Sequence, residues 1–168
     1  MTILHILQHP DERLRKKALP VNDFGENTQK IIDDMFETLY ETGRGIGLAA
    51  TQVNIQKRIV VIDMSGPERK SPICLVNPVI VEKGKEMCEE LEGCLSVPSI
   101  NEFVKRPKRV KITAFDRKGQ PLKIEDDTYF ARCILHEMDH LEGFLFIDRL
   151  SPLKKRRALK AMQEVKEL

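Results

Sequence analysis

His136-Glu137-Met138-Asp139-His140 places two imidazoles four residues apart, so a helix there would present both on one face with the Glu137 carboxylate beside them. That arrangement suits a divalent metal gripped by His136 and His140, with Glu137 acting as a base on a water molecule. With four His and sixteen Glu among 168 residues, the His-Glu-x-x-His pattern is expected by accident only about 0.01 times in a chain of this composition. A helix that merely carries two ordinary histidines is the weaker reading.

A metal that keeps one position open for water needs a third protein ligand. A metzincin would supply a histidine three residues after Gly143, but that position is Phe146. A thermolysin-like zinc endopeptidase would draw a glutamate from a later helix. Glu164 and Glu167 are the candidates, in a basic segment whose ordinary reading is a solvated helix face. The other candidates are the cysteines Cys74, Cys88, Cys94 and Cys133. Cys133 shares the stripe of His136 but lies about 10 Å of helical rise from His140, so it is expected to line the site without ligating. Cys94 sits in Glu92-Gly93-Cys94-Leu95-Ser96, where small flanking residues permit close backbone approach, and a thiolate there can ligate.

Elements must bring these residues together. Ile31, Ile32, Met35, Phe36 and Leu39 recur at spacings of three and four, predicting a helix over Glu26–Tyr40 that Gly43 and Gly45 end. The pattern predicts a second helix from Thr128, as cap, to Leu141, stopped by Gly143, and a third over Pro152–Val165. Arg58–Asp63, Ile73–Glu82 and Arg109–Phe115 are rich in Val and Ile and read as strands. Strands and helices fall in separate runs, which predicts an α+β fold over a single domain, residues 1–168.

Composition narrows the function classes. Twenty-eight basic side chains against 26 acidic give a net charge of +2, too little for phosphate-backbone binding by the whole surface. No apolar run is long enough to span a bilayer, and the N-terminal residues MTILHILQHPDERLRKK lack signal-peptide features, so a cytoplasmic protein with reduced cysteines is expected. Gly45-Ile46-Gly47-Leu48-Ala49-Ala50 fits a dinucleotide fingerprint, but it follows a helix and leads toward a strand, the reverse of what that fingerprint requires, so no nucleotide cofactor is expected. His5 and His9 repeat the four-residue spacing without an intervening Glu, and Pro10 disfavours helix at His9; they are read as structural or exposed.

Taken in order, Gly45-Ile46-Gly47-Leu48-Ala49-Ala50-Thr51-Gln52, Glu92-Gly93-Cys94-Leu95-Ser96 and His136-Glu137-Met138-Asp139-His140 resemble the three signature motifs of the peptide deformylases, and the resemblance spans nearly the whole chain. It implies antiparallel sheets packed around a central metal-binding helix, with an N-terminal and a C-terminal helix. It further implies a metallohydrolase that removes the formyl group from N-formyl-methionyl nascent peptides and releases formate. In that reading Cys94, His136 and His140 hold one divalent ion, Fe²⁺ by family habit with Zn²⁺, Ni²⁺ or Co²⁺ as possible occupants. The attacking water is the one on the metal, and Glu137 is general base and then acid. By the same resemblance the Gln52 side-chain amide and the Leu95 backbone N–H stabilise the oxyanion. Ile46, Gly47, Gly93 and Cys133 are the expected lining of the methionine pocket.

Glu92 and Asp139 are candidate carboxylates for orienting the ligands or Arg106. The basic run Lys154, Lys155, Arg156 and Arg157 reads as a solvated helix face, and the family resemblance implies ribosome docking as a second reading. Two positions depart from the family pattern. Leu135 stands where Gln is common, and Arg132 stands where an apolar pocket residue is common; the expectation for Arg132 is a packed stem with its head in solvent. The competing functions are the zinc endopeptidase using Glu164 and an inactive relative that binds ribosomes or nascent chains.

Overall fold

In the computed structural model, which describes residues 2–167, the chain begins with irregular backbone and a 3-10 turn at Glu12–Arg15 before helix α1, Glu26–Glu41. Strand β1, Gly47–Ala49, a 3-10 turn at Ala50–Val53 and strand β2, Ile59–Asp63, follow. Then come β3, Pro72–Lys83, β4, Met87–Cys94, β5, Val97–Pro107, β6, Val110–Phe115, and β7, Pro121–Asp126. Helix α2 covers Tyr129–Leu141 and helix α3 covers Pro152–Glu167, separated by a 3-10 turn at Phe146–Arg149.

Five strands form one antiparallel sheet in the order β1-β2-β3-β6-β7, and β4 and β5 form a separate antiparallel hairpin. Strand β2 shows why an unbroken apolar run becomes a central strand. Its Val60 and Ile62 pack toward α2 with Leu75, Ile112 and Ile134, while Ile59 and Val61 pack toward α1 with Ile32, Met35 and Leu39. The sheet is therefore covered on both faces, and neither side of β2 meets water. A third apolar cluster joins Val97, Ile100 and Val104 of β5 to Phe146 and to Ala158 and Met162 of α3.

The expected helices and three strands are present within one or two residues of their predicted ends, and the α+β assignment holds. Strands β1, β5 and β7 go beyond the predicted elements. The β4 sequence MCEELEGC is acidic and mostly solvent-facing, so its strand character comes from pairing with β5.

Helix α2 is the buried axis of the molecule. Its start is set by the Thr128 side chain, which accepts the Phe130 N–H at 3.3 Å, and by Asp126, which accepts the Ala131 N–H at 2.9 Å. Residues Ala131 to Met138, together with His140 and Leu141, are all buried. Gly143 closes the helix at φ +84°, and a Cβ there would lie 2.5 Å from the Arg15 carbonyl oxygen. Leu135 sits in the core between α2 and the sheet and is purely a packing residue.

Candidate active site

Two neighbouring elements meet α2 at its middle. The β1 strand and following 3-10 turn supply Gly47 and Gln52, and the end of β4 supplies Gly93 and Cys94. The β4–β5 register slips between Gly93 and Cys94, so that Cys94 faces Val97 across the hairpin end. A register irregularity of this kind re-aims a side chain, and here the thiol meets the helix. The Cys94 sulfur lies 3.3 Å from His140 Nε2.

Cys94, His136 and His140 each offer one ligand atom, and these atoms all lie within 4.8 Å of one another. Glu164 and Glu167, the candidates for an endopeptidase ligand, are exposed on α3 and outside that group. Phe146 is buried with its ring stacked against His136 at 6.1 Å between centroids, so the position that a metzincin would use for a ligand packs against a histidine of the cluster.

The carboxylate of Glu92 orients this cluster. It accepts from His136 Nδ1 at 2.8 Å, leaving the other ring nitrogen of His136 for the ligand cluster. It also accepts two bonds from Arg106, at 2.6 and 3.0 Å, and one from Arg132 at 2.6 Å. Burial opposes ionisation of Glu92, but the His136 and Arg106 hydrogen bonds outweigh it and hold the carboxyl far below its usual range. Arg106 reaches on to Asp139 at 2.9 Å, which also takes Arg149 at 2.8 Å.

The expectation that Arg132 keeps its head in solvent is wrong. Arg132 is 3% exposed, with its guanidinium on Glu92, on the Val104 carbonyl at 2.8 Å and on the Cys88 carbonyl at 2.8 Å. A buried carboxylate serving a histidine and two arginines neutralises the charge that would otherwise forbid an arginine here.

Glu137 differs from Glu92 in having no such partners. Its Oε1 is buried without a hydrogen bond, and burial pushes its pKa up to about 7 against the pull of His136. A Cβ at Gly47 would lie 2.5 Å from Glu137 Oε2, so only glycine leaves space for this carboxylate. Burial opposes protonation of His136, yet its hydrogen bonds with Cys94 and Glu92 raise it well above the ordinary imidazole value. Burial beside His136 and Arg106 drives His140 well below it.

Gln52 is 1% exposed and its amide orientation is settled by its neighbours. Oε1 accepts the Ala49 N–H at 2.9 Å, which turns the NH₂ group toward Ser96 Oγ at 3.0 Å and the Cys94 sulfur at 3.6 Å. Leu95 follows Cys94 in the hairpin turn and its side chain covers Gly45, 3.3 Å from where a Cβ would stand. Ile46, Gly47, Gly93 and Cys133 all line the same cleft, whose volume is about 420 Å³. His5 is exposed and His9 is tied through its backbone N–H to the Ser96 carbonyl at 2.8 Å, and neither joins the ligand group.

Sequence reasoning did not identify Ser96 as the partner of Gln52, nor Tyr129 and Arg44 as walls of the cleft. Proximity of Ser96 to Cys94 was the available signal. The glycine-rich segment leaves α1 through a turn and enters β1, so it has none of the strand-to-helix geometry of a dinucleotide site.

This arrangement can hold a cation between a thiolate and two imidazoles, with an unpaired carboxylate and an oriented amide at its edge. The chain matches the polypeptide deformylase family model over residues 3–156. It is 50% identical over 164 residues to a peptide deformylase of Chromohalobacter salexigens, covering 98% of this chain and 95% of that one. Among solved structures it superimposes on a peptide deformylase from Legionella pneumophila with a TM-score of 0.92 at 44% identity, covering 99% of this chain and 96% of that one. It also superimposes on the Ehrlichia chaffeensis peptide deformylase in complex with actinonin, with a TM-score of 0.90 at 35% identity over 100% of both chains.

Proposed function

Since the chain belongs to the polypeptide deformylase family and removes N-formyl groups from nascent peptides, we propose that Cys94, His136 and His140 hold the divalent metal and that Glu137 carries the proton in this reaction. The observation that carries the assignment is the convergence of the three ligand atoms beside a buried carboxylate that has a free oxygen.

The donor set fits a metal. One sulfur and two ring nitrogens converge within 4.8 Å, and His136 is oriented from behind by Glu92. When bound, a divalent ion supplies Lewis acidity and lowers the pKa of water. The set suits Fe²⁺, Zn²⁺, Ni²⁺ and Co²⁺, and family resemblance favours Fe²⁺. Metal analysis of protein purified without oxygen tests that choice.

Hydrolysis requires water to add to the formyl carbon, the C–N bond to break, and a proton to reach the leaving amine. Glu137 takes the water proton on its unpaired Oε1 and delivers it to the nitrogen. Burial, which raises its pKa, disposes this carboxyl to hold a proton between the two transfers. As charge builds on the formyl oxygen, the Gln52 NH₂ and the Leu95 N–H donate to it. Ala49 holds the Gln52 carbonyl, so the NH₂ faces the Cys94 sulfur and can exchange that long 3.6 Å contact for the oxyanion. Ile46, Gly47, Gly93 and Cys133 enclose the methionine side chain in the cleft.

The decisive assay is formate release from a formyl-Met tripeptide and its acetyl twin, using enzyme reconstituted anaerobically with Fe²⁺ or Ni²⁺. Release from the formyl peptide alone, with metal binding lost in Cys94→Ala but kept in Glu137→Ala, is expected. Metal retained by Cys94→Ala would overturn the ligand assignment.

Among the described residues no helix is long and apolar enough to cross a membrane. On α3, Lys154 pairs with Glu102 at 3.7 Å and Lys155 with Asp148 at 3.0 Å, while Arg156 and Arg157 are exposed and make no ion pair among the described residues. These two arginines are the part of the basic run available to ribosomal phosphates. Loss of salt-sensitive ribosome cosedimentation in Arg156→Glu/Arg157→Glu tests that partner.

A further inference from the structure

We propose that Arg44 makes this enzyme favour peptides with an acidic side chain at the second or third residue, a selectivity that rests on the deformylase reading of the cleft. Besides His136, the charged side chains lining the cleft are Arg44, Glu92, Arg132 and Glu137. Glu92 and Arg132 are buried and bonded to each other at 2.6 Å, and Glu137 is buried at the reaction centre. Arg44 alone among these is exposed, and its guanidinium makes neither a hydrogen bond nor an ion pair among the described residues.

Arg69, beside the C-terminal end of α1, shows the contrast. Arg69 pairs with Glu37 at 3.3 Å and lies 4.6 Å over the Tyr40 ring. The neutral polar side chains Ser99 and Asn101 line the cleft as well, and no exposed carboxylate lines it. The cleft therefore carries one free positive charge on its rim.

The backbone that carries this charge is pinned. The Thr42 hydroxyl accepts the Arg44 N–H at 3.2 Å and lies within donating distance of the Leu39 and Arg44 carbonyls. Arg44 directly precedes Gly45, Ile46 and Gly47, which line the same cleft. Electrostatic complementarity on a rim governs capture and selectivity more than tight binding.

The substrate adds a reason of its own. A formylated N-terminus is neutral and methionine is neutral, so the first charge that a nascent peptide can bring to the cleft sits on a later side chain. An Asp or Glu there meets Arg44 favourably, whereas a Lys or Arg is repelled.

The test compares kcat/KM of metal-loaded enzyme for C-terminally amidated formyl-Met peptides with Asp, Asn or Lys at the second or the third residue. The readout is the ratio between peptides within each variant, so a general change in rate cancels. The wild-type enzyme should prefer Asp over Asn by about three-fold in one series at low ionic strength, the scale of an exposed ion pair. Lys should fall below Asn, and the differences should collapse at roughly 1 M salt, where screening acts within about 3 Å. Arg44→Gln should equalise the peptides, Arg44→Lys should keep the preference, and Arg44→Glu should invert it. Equal rates for Asp and Asn in the wild type, or a preference unchanged in Arg44→Gln, would overturn the proposal while leaving the deformylase reading intact. Absence of formate from the Asn peptides would overturn both.

Discussion

A carboxylate that must take and release protons cannot also be saturated with cationic donors; Glu137, the proposed proton carrier, is free of them, and Glu92 is saturated with them. Glu137 has a buried oxygen without a partner. Glu137→Gln keeps the shape and removes the proton carrier, so kcat/KM for a formyl-Met peptide should fall by about 10²- to 10⁴-fold with metal content unchanged; a smaller loss in metal-loaded protein would remove Glu137 from the role. Glu92 is the opposite case, accepting from His136, Arg106 and Arg132 in a buried setting. Glu92→Ala would leave the buried Arg132 guanidinium with carbonyls but no carboxylate, and Arg106 with Asp139 alone, and urea denaturation should show a loss of about 3–5 kcal/mol. Glu92→Gln retains the volume and one acceptor oxygen, which can still serve one of the two donor pairs. It should fold better than Glu92→Ala yet bind metal about 10- to 100-fold more weakly, because His136 loses its anionic partner. Equal metal affinity in Glu92→Gln and wild type would show that this partner does not tune the ligand.

At the scale of elements, α2 works because both its ends are set by local chemistry and its middle is packed on every side. The Thr128 cap and the Asp126 carboxylate fix its first turn, and Gly143 reverses the chain against the Arg15 backbone. Gly143→Ala combines a φ of +84° with a Cβ placed 2.5 Å from a carbonyl oxygen. It should destabilise the protein by more than about 1 kcal/mol in chemical denaturation, since the usual entropic benefit of replacing glycine requires a backbone that alanine can adopt. Unchanged or increased stability would mean that the turn relaxes freely. The β4–β5 hairpin is the complementary element. Its slipped register turns Cys94 toward the helix, so the position of the proposed metal ligand depends on an irregularity of pairing, not on strand propensity.

For the whole molecule, acid sensitivity follows from carboxylates that hold fewer protons folded than unfolded. Burial opposes ionisation of Asp63, but hydrogen bonds from Ser65 and Tyr40 outweigh it and keep its pKa below the usual range. Asp34 and Asp148 are likewise held below it, against burial, by Lys30 and Arg15. A depressed folded pKa gives stability that is fully present above the unfolded value of about 3.9 and is lost as pH falls toward the folded one. Urea midpoints measured between neutral pH and about pH 3 should therefore decline with acid. Asp63→Asn, which lacks the titrating group, should start lower at neutral pH and decline less; parallel profiles would remove Asp63 from the linkage.

Much of the site was legible because its chemistry is local. His136, Glu137 and His140 announce their shared face through helical periodicity, and Thr128 and Gly143 bound that helix through side-chain and backbone preferences that act within a few residues. The unbroken apolar run of β2 announced a strand for the same reason. The fate of Arg132 was not legible. A lone arginine on a helix stripe is ordinarily expected to send its head to solvent, and only the β4–β5 hairpin folded against α2 brings Glu92 and two backbone carbonyls to receive it. Ser96 as the partner of Gln52, and the solitary charge of Arg44 on the rim, are likewise products of segments distant in sequence meeting in space. Sequence by itself determined which groups can ligate, donate or carry protons, because that is a property of residue type and short-range spacing. Tertiary structure alone decided which of those groups are neutralised and which are left free, because burial and pairing depend on what the rest of the chain packs against them.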